Sequence, residues 1–171
     1  MRTVAVLLIL AAAITLQATF ARFFVNRMTV DLVLVAIVYV ALSFGPVAGL
    51  LGGTAAGLAQ DALGGGIIGI GGLAKSIVGF AAGTIGSQFI VSSALPRFVM
   101  FFFASIVHTA CFLGVYALLP DARPTAVPYG QIALQAAGNG AIGLLSFQTV
   151  EGLPGILQRR RINRAYRRRR V

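Results

Sequence analysis

The chain has no tryptophan, a single cysteine, a single histidine and only four acidic residues among 171. Each scarcity removes a class of function. Cys111 cannot close an intrachain disulfide alone, and inside an apolar run it says nothing about redox compartment. His108 has neither a second histidine nor a suitably spaced carboxylate, so a metal site is not expected; we read it as a core histidine with its hydrogen bonds satisfied. Cys111 lies three residues further on, and two potential ligands do not make a site. Four acids leave little from which to assemble a nucleophile, a base and an orienting group, and no enzyme is expected.

What the chain does have is apolar sequence: 58% hydrophobic residues, 11% charged residues and a mean hydropathy of +0.91 place it in a membrane. At roughly 20 residues per crossing, its length holds about six helices with short loops and no separate catalytic domain. The net charge of +10 suggests nucleic acid only until it is divided along the chain. Eight of the fourteen basic residues lie between Arg159 and Arg170. The charge is a property of the tail, and no nucleic-acid partner is expected.

Six apolar runs predict helices over 3–20, 30–44, 46–63, 67–90, 97–119 and 127–150. The expected fold is therefore an all-α integral membrane protein, with a six-helix transmembrane domain at 1–154 and an Arg-rich cytoplasmic tail at 155–171. The first run resembles a signal peptide in length, with "ATFA" as a candidate cleavage site, but we read it as a retained crossing. Gly45-Pro46 separates the second and third runs, since proline tolerates a helix start and not an interior. With six crossings both termini share one side of the membrane. The positive-inside rule makes that side cytoplasmic: Arg2, Arg97 and the tail arginines fall inside, against Arg22, Arg27 and Arg123 outside. Asp61 and the "GGG" turn then face outward.

The central runs carry a packing code. Gly45, Gly49, Gly53 and Gly57 recur every four residues, with Asp61 next in the row. In the following run Gly69, Gly72, Ser76, Gly79, Gly83 and Gly86 alternate steps of three and four, which keeps them on one face. Small residues at such spacing let backbones approach closely, and in lipid that closeness replaces the hydrophobic drive. A tight hairpin is the expected outcome; a pathway or pocket is the alternative.

Two ionisable residues stand inside this hairpin. Lys75 lies about 13 Å past the turn at 1.5 Å per residue and Asp61 only about 4–5 Å from it. A charge at membrane depth costs about 2.5–3.5 kcal/mol or more unless it is paired, hydrated or near an interface. One expectation is that Lys75 reaches back toward the turn and approaches Asp61 or nearby carbonyls. The other is that Asp61 simply caps the turn.

"GIGGLAKS", Gly69–Ser76, superficially resembles a phosphate-binding loop, but a helix-period apolar pattern runs straight through it, with no preceding strand and no magnesium-binding acid. Gln131, Gln135 and Asn139 form an i, i+4 row on the sixth helix, where amides are expected to bond across helices, with a small-molecule pocket as the alternative. In the tail, Arg159, Arg160, Arg161, Arg164, Arg167, Arg168, Arg169 and Arg170 set topology and attract anionic lipid at about 1 kcal/mol each.

The run "GPVAGLLGGTAAGLAQDALGGGIIGIGGLAKSIVGF" resembles the central signature of MreD, the rod-shape-determining membrane protein family of bacteria. That signature is a Gly-spaced helix ending in GLxxD, a short turn, then a Gly-rich helix with a Lys-Ser/Thr pair. Gly57, Leu58 and Asp61 match the first part and Gly69, Lys75 and Ser76 the second, while the arginine tail is longer than the family pattern. The resemblance implies a non-enzymatic scaffold of the elongasome in the bacterial cytoplasmic (inner) membrane. Its implied partners are an MreC-like single-span protein, the MreB-type filament and the RodA-type polymerase complex, with no cofactor. It also implies a fold similar to the S components of energy-coupling-factor transporters, and hence a rival reading as a vitamin binder. The lack of tryptophan and the short external loops weigh against that rival.

Overall fold

The computed structural model describes the backbone of residues 2–23, 30–89, 93–119 and 128–168, and the side chains of 3–20, 30–89, 93–119 and 128–150. Within them the chain forms six helices: α1 (Arg2–Phe23), α2 (Leu32–Phe44), α3 (Pro46–Gly64), α4 (Ile70–Gln88), α5 (Ala94–Ala117) and α6 (Tyr129–Arg168). No strand occurs among the described residues. Two of the helices, α1 over Thr3–Phe20 and α5, are long and apolar enough to cross a membrane; α2 is apolar but shorter. The glycines and polar residues of α3 and α4 lower their hydropathy, which is why helices so poor in charge do not stand beside them.

The shortest helix is the hub. α2 touches each of the other five helices, and its sequence LVLVAIVYVALSF is apolar on all sides, the pattern of a helix enclosed by protein. One face, Leu34, Val35, Val38 and Ala41, packs with Val78 and Ala82 of α4, Phe101 of α5 and Phe147 of α6. The other, with Val33, Ile37 and Val40, packs against Leu10 of α1 and Ala56 of α3. Gly45 alone separates α2 from α3; its φ of +96° turns the corner and Pro46 starts the new helix.

The outer helices carry their apolar side chains outward. Leu7 and Leu8, Val47 and Leu51, Phe80, Leu95, Phe103 and Leu145 are all exposed. So much unpartnered apolar surface fits a lipid environment far better than water.

The helix ends differ from the expected runs where local chemistry intervenes. α4 begins at Ile70 and not at 67, because Gly65 at φ +68° ends α3 and 65–69 form the turn. α6 runs forty residues to Arg168, through the stretch read as a separate tail. The arginines from Arg159 to Arg168 lie on its backbone, but their side chains, together with Arg169 and Arg170, fall outside the described residues. Arg22, Arg27 and Arg123 do so as well.

Candidate functional site

α3 and α4 form the closest helix pair of the molecule, joined through their glycines. A Cβ on Gly49 would strike the backbone of Gly79, and one on Gly53 the Lys75 carbonyl. One on Gly57 would come within 2.5 Å of the Gly72 Cα, and one on Gly83 would meet Pro46. Gly49–Gly79, Gly53–Lys75/Ser76, Gly57–Gly72 and Pro46–Gly83 therefore define an antiparallel register of backbone on backbone. Two expected members of the rows work otherwise: Gly45 and Gly69 have positive φ and open space where a Cβ would stand, so they are corner residues. Ser76 contributes its backbone, while its hydroxyl donates to the Leu73 carbonyl on its own helix.

Asp61 ends the α3 row and closes the turn. Its Oδ2 accepts the amide N–H of Gly69 at 2.9 Å, Gly71 at 3.0 Å and Gly72 at 3.2 Å. Those amides belong to the start of α4, where N–H groups lack helical partners and the helix dipole favours an anion. Of the two expectations for Asp61 the cap is the one realised.

The structure does not bring Lys75 to Asp61. The ammonium Nζ lies 2.9 Å from Oδ2 of Asp31 and 3.1 Å from Nε2 of His108. The physical reason is that Asp61 is already satisfied by three amides, whereas Asp31 sits on α2, the helix against which α4 packs. Lys75 is 4% exposed, Asp31 7% and His108 8%, so the three groups compensate one another within the protein. As the ammonium only donates, Nε2 accepts, and the imidazole proton sits on Nδ1.

Asp31 is the N-cap of α2: its Oδ1 accepts the Leu34 N–H at 2.9 Å. Two further first-turn amides find partners on distant helices. The Asp31 N–H donates to Oδ1 of Asn139 at 2.9 Å and the Leu32 N–H to Oε1 of Gln17 at 2.8 Å. Asn139 Nδ2 in turn donates to Oγ of Ser105 at 2.8 Å, which donates to the Phe101 carbonyl. One polar junction thus ties the start of α2 to α1, α4, α5 and α6.

Of the glutamine–asparagine row, Asn139 bonds to α2 and α5, Gln131 is exposed, and Gln135 lines a cavity beside the junction. Sequence reasoning missed Asp31, Gln17 and Ser105 altogether and read His108 as a satisfied core histidine, whereas it meets Lys75 through Nε2 and its Nδ1 has no partner within the chain. An aspartate directly before an apolar helix is an N-cap signal that could have exposed Asp31. Nothing in the spacing joins positions 31, 75, 108 and 139.

At the other end of α5, Arg97 lies over the Phe147 ring at 4.6 Å to the centroid, and Phe147 stacks near Tyr39 and Phe101. No group of three His, Cys, Asp or Glu able to hold a metal ion occurs among the described residues.

Among the described residues an all-helical bundle with an apolar exterior, a glycine-stitched hairpin and an internally neutralised polar junction has the build of a membrane protein. A family model for the rod shape-determining protein MreD matches residues 1–128, which takes in α1 to α5 and leaves α6 outside the match. The chain belongs to the MreD family, and its role lies in determining rod cell shape. No curated protein and no solved structure matches it.

Proposed function

We propose that this chain is a non-enzymatic scaffold of the elongasome, spanning the bacterial inner membrane six times with both termini in the cytoplasm. The observation that carries the reading is the family match over 1–128. The build of the molecule supports it. Its charged side chains at depth are spent on one another and on helix ends, which makes a rigid body, while its outer faces are apolar and available to other helices. α6, at about 1.5 Å per residue, extends about 60 Å, twice a bilayer's hydrocarbon thickness. Its arginine-rich half therefore lies beyond the hydrocarbon, where it anchors on anionic lipid and fixes the cytoplasmic side. An MreC-like single-span protein docks on the helical exterior and links the chain to the MreB-type filament and the RodA-type polymerase complex.

The test is depletion with cell-shape imaging, together with co-purification of the solubilised chain with an MreC-like partner. Rounding of rod cells and a stable complex are expected. Rods that persist, with loss of uptake of one vitamin instead, would overturn the scaffold in favour of a transporter component.

A further inference from the structure

A cavity of about 380 Å³ opens beside the polar junction, walled by α3, α4, α5 and α6 and floored by glycines of the α3–α4 turn. That is within the size range of small-molecule sites. Its charged lining groups are already engaged: Lys75 with Asp31 and His108, and Asp61 with three amides. Two buried polar atoms of its lining residues are not. Nδ1 of His108 and Oε1 of Gln60 have no hydrogen-bond partner within the chain.

Buried polar groups are almost always paired, and an orphan costs stability unless something occupies the space before it. The two orphans differ in kind. The Lys75 ammonium fixes His108 as an Nδ1–H donor, while the Gln60 carbonyl is an acceptor. Phe112, whose ring lies near that of His108, adds a flat apolar wall. We propose that this cavity binds a small, neutral, planar molecule carrying an amide or lactam group. Its carbonyl would accept from His108 Nδ1 and its N–H would donate to Gln60 Oε1. A carboxylate would meet Asp61 and Asp31 on the same wall, and an ammonium, though drawn to those carboxylates, would leave the imidazole N–H without an acceptor. The site does not rest on the scaffold reading, and ligand binding and cell shape are read separately.

The test uses the full chain in detergent micelles, with protein-free micelles as reference, and three probes of one shape: benzamide, benzoate and benzylamine. 2-Pyridone serves as a second neutral probe. Calorimetry or ligand-observed NMR should show saturable binding at one site for a neutral probe, at least tenfold weaker for benzoate and weaker, by a smaller factor, for benzylamine. Gln60→Leu removes an acceptor that has no protein partner, so the fold should keep or raise its Tm while the Kd rises at least threefold. Phe112→Leu, on the half-buried wall, provides a second variant with the same expected weakening. Leu145→Ala, exposed on α6 ten residues beyond Gln135 and outside the cavity lining, should leave the Kd unchanged. Absence of saturable binding by both neutral probes overturns the proposal, as does equal binding of benzamide and benzoate. A Kd indifferent to both Gln60→Leu and Phe112→Leu does so too.

Discussion

The α3–α4 hairpin and the junction at the head of α2 hold helices together by opposite means. Between α3 and α4 the side chains are gone, and backbone meets backbone at Gly49–Gly79, Gly53–Lys75 and Gly57–Gly72. Around Asp31 side chains make the reach: a lysine, a histidine, an asparagine and a glutamine from four other helices converge on the side chain and amides of one helix end. Both answer the same difficulty, that lipid is as apolar as leucine and gives helices no hydrophobic reason to associate. The glycine interface supplies dispersion over many weak contacts. The junction supplies a few strong bonds whose loss leaves a charge stranded. The two meet at Lys75, whose carbonyl lies under Gly53 and whose ammonium holds Asp31.

That difference predicts where substitution costs most. Lys75→Met leaves the Asp31 carboxylate buried without its counter-charge, and breaking a buried pair from one side costs about 3–5 kcal/mol. Unfolding equilibria in mixed micelles should show a loss of that size. Asp31→Asn in the same background should recover most of it, whereas Asp61→Asn should recover none, since Asp61 bonds only to amides. A loss within about 1 kcal/mol for Lys75→Met would mean that the junction is not what holds the helices.

The glycine side of the comparison breaks more gently. Gly53→Ala drives a methyl into the Lys75 carbonyl and the Ser76 amide, neither of which can swing away as a side chain would. Overpacking of this kind costs about 1–3 kcal/mol. Gly52→Ala, one residue along, meets only the flexible Cδ1 of Leu10 at 3.2 Å and should be well tolerated. Similar losses for the two would refute the backbone register.

Asp61→Ala tests the point at which the glycine row acquires a charge. It removes the acceptor for three amides at the start of α4, and lost caps cost about 0.5–2 kcal/mol. Hydrogen exchange should rise at Gly69, Gly71 and Gly72 while the Asp31–Lys75 region stays protected. Exchange that rises equally in both regions would show that the two are one cooperative unit.

The glycine interface was legible in the sequence because its information is local. A period of four on one run and of three and four on the next names the facing positions whatever the third dimension does, and Gly49, Gly53, Gly57, Gly72, Gly79 and Gly83 are the residues in contact. Asp61 as a cap was likewise legible, eight residues from Gly69. The junction was not, because its bonds join residues 33, 34 and 108 positions apart, and periodicity carries no knowledge of which helix neighbours which. Pairing Lys75 with the nearest acid in sequence overlooked that α2, a short helix enclosed by the others, sets its first turn beside α4. The six apolar runs marked six helices, but glycine content hid how little of α3 and α4 resembles an ordinary crossing.

The smallest expected effect has the opposite sign and isolates what glycine is for. Gly114 lies in α5 with nothing within 4 Å of where a Cβ would stand. There the residue contributes no close approach, only the backbone freedom that its unfolded state retains and folding removes. Gly114→Ala should therefore stabilise the chain by about 0.4–1 kcal/mol, read as a rise in unfolding midpoint with an unchanged slope. Set beside the loss at Gly53, the pair separates glycine as a contact from glycine as a helix residue. If Gly114→Ala destabilises instead, backbone freedom is not what sets glycine's effect at this position, and the contrast with Gly53 fails.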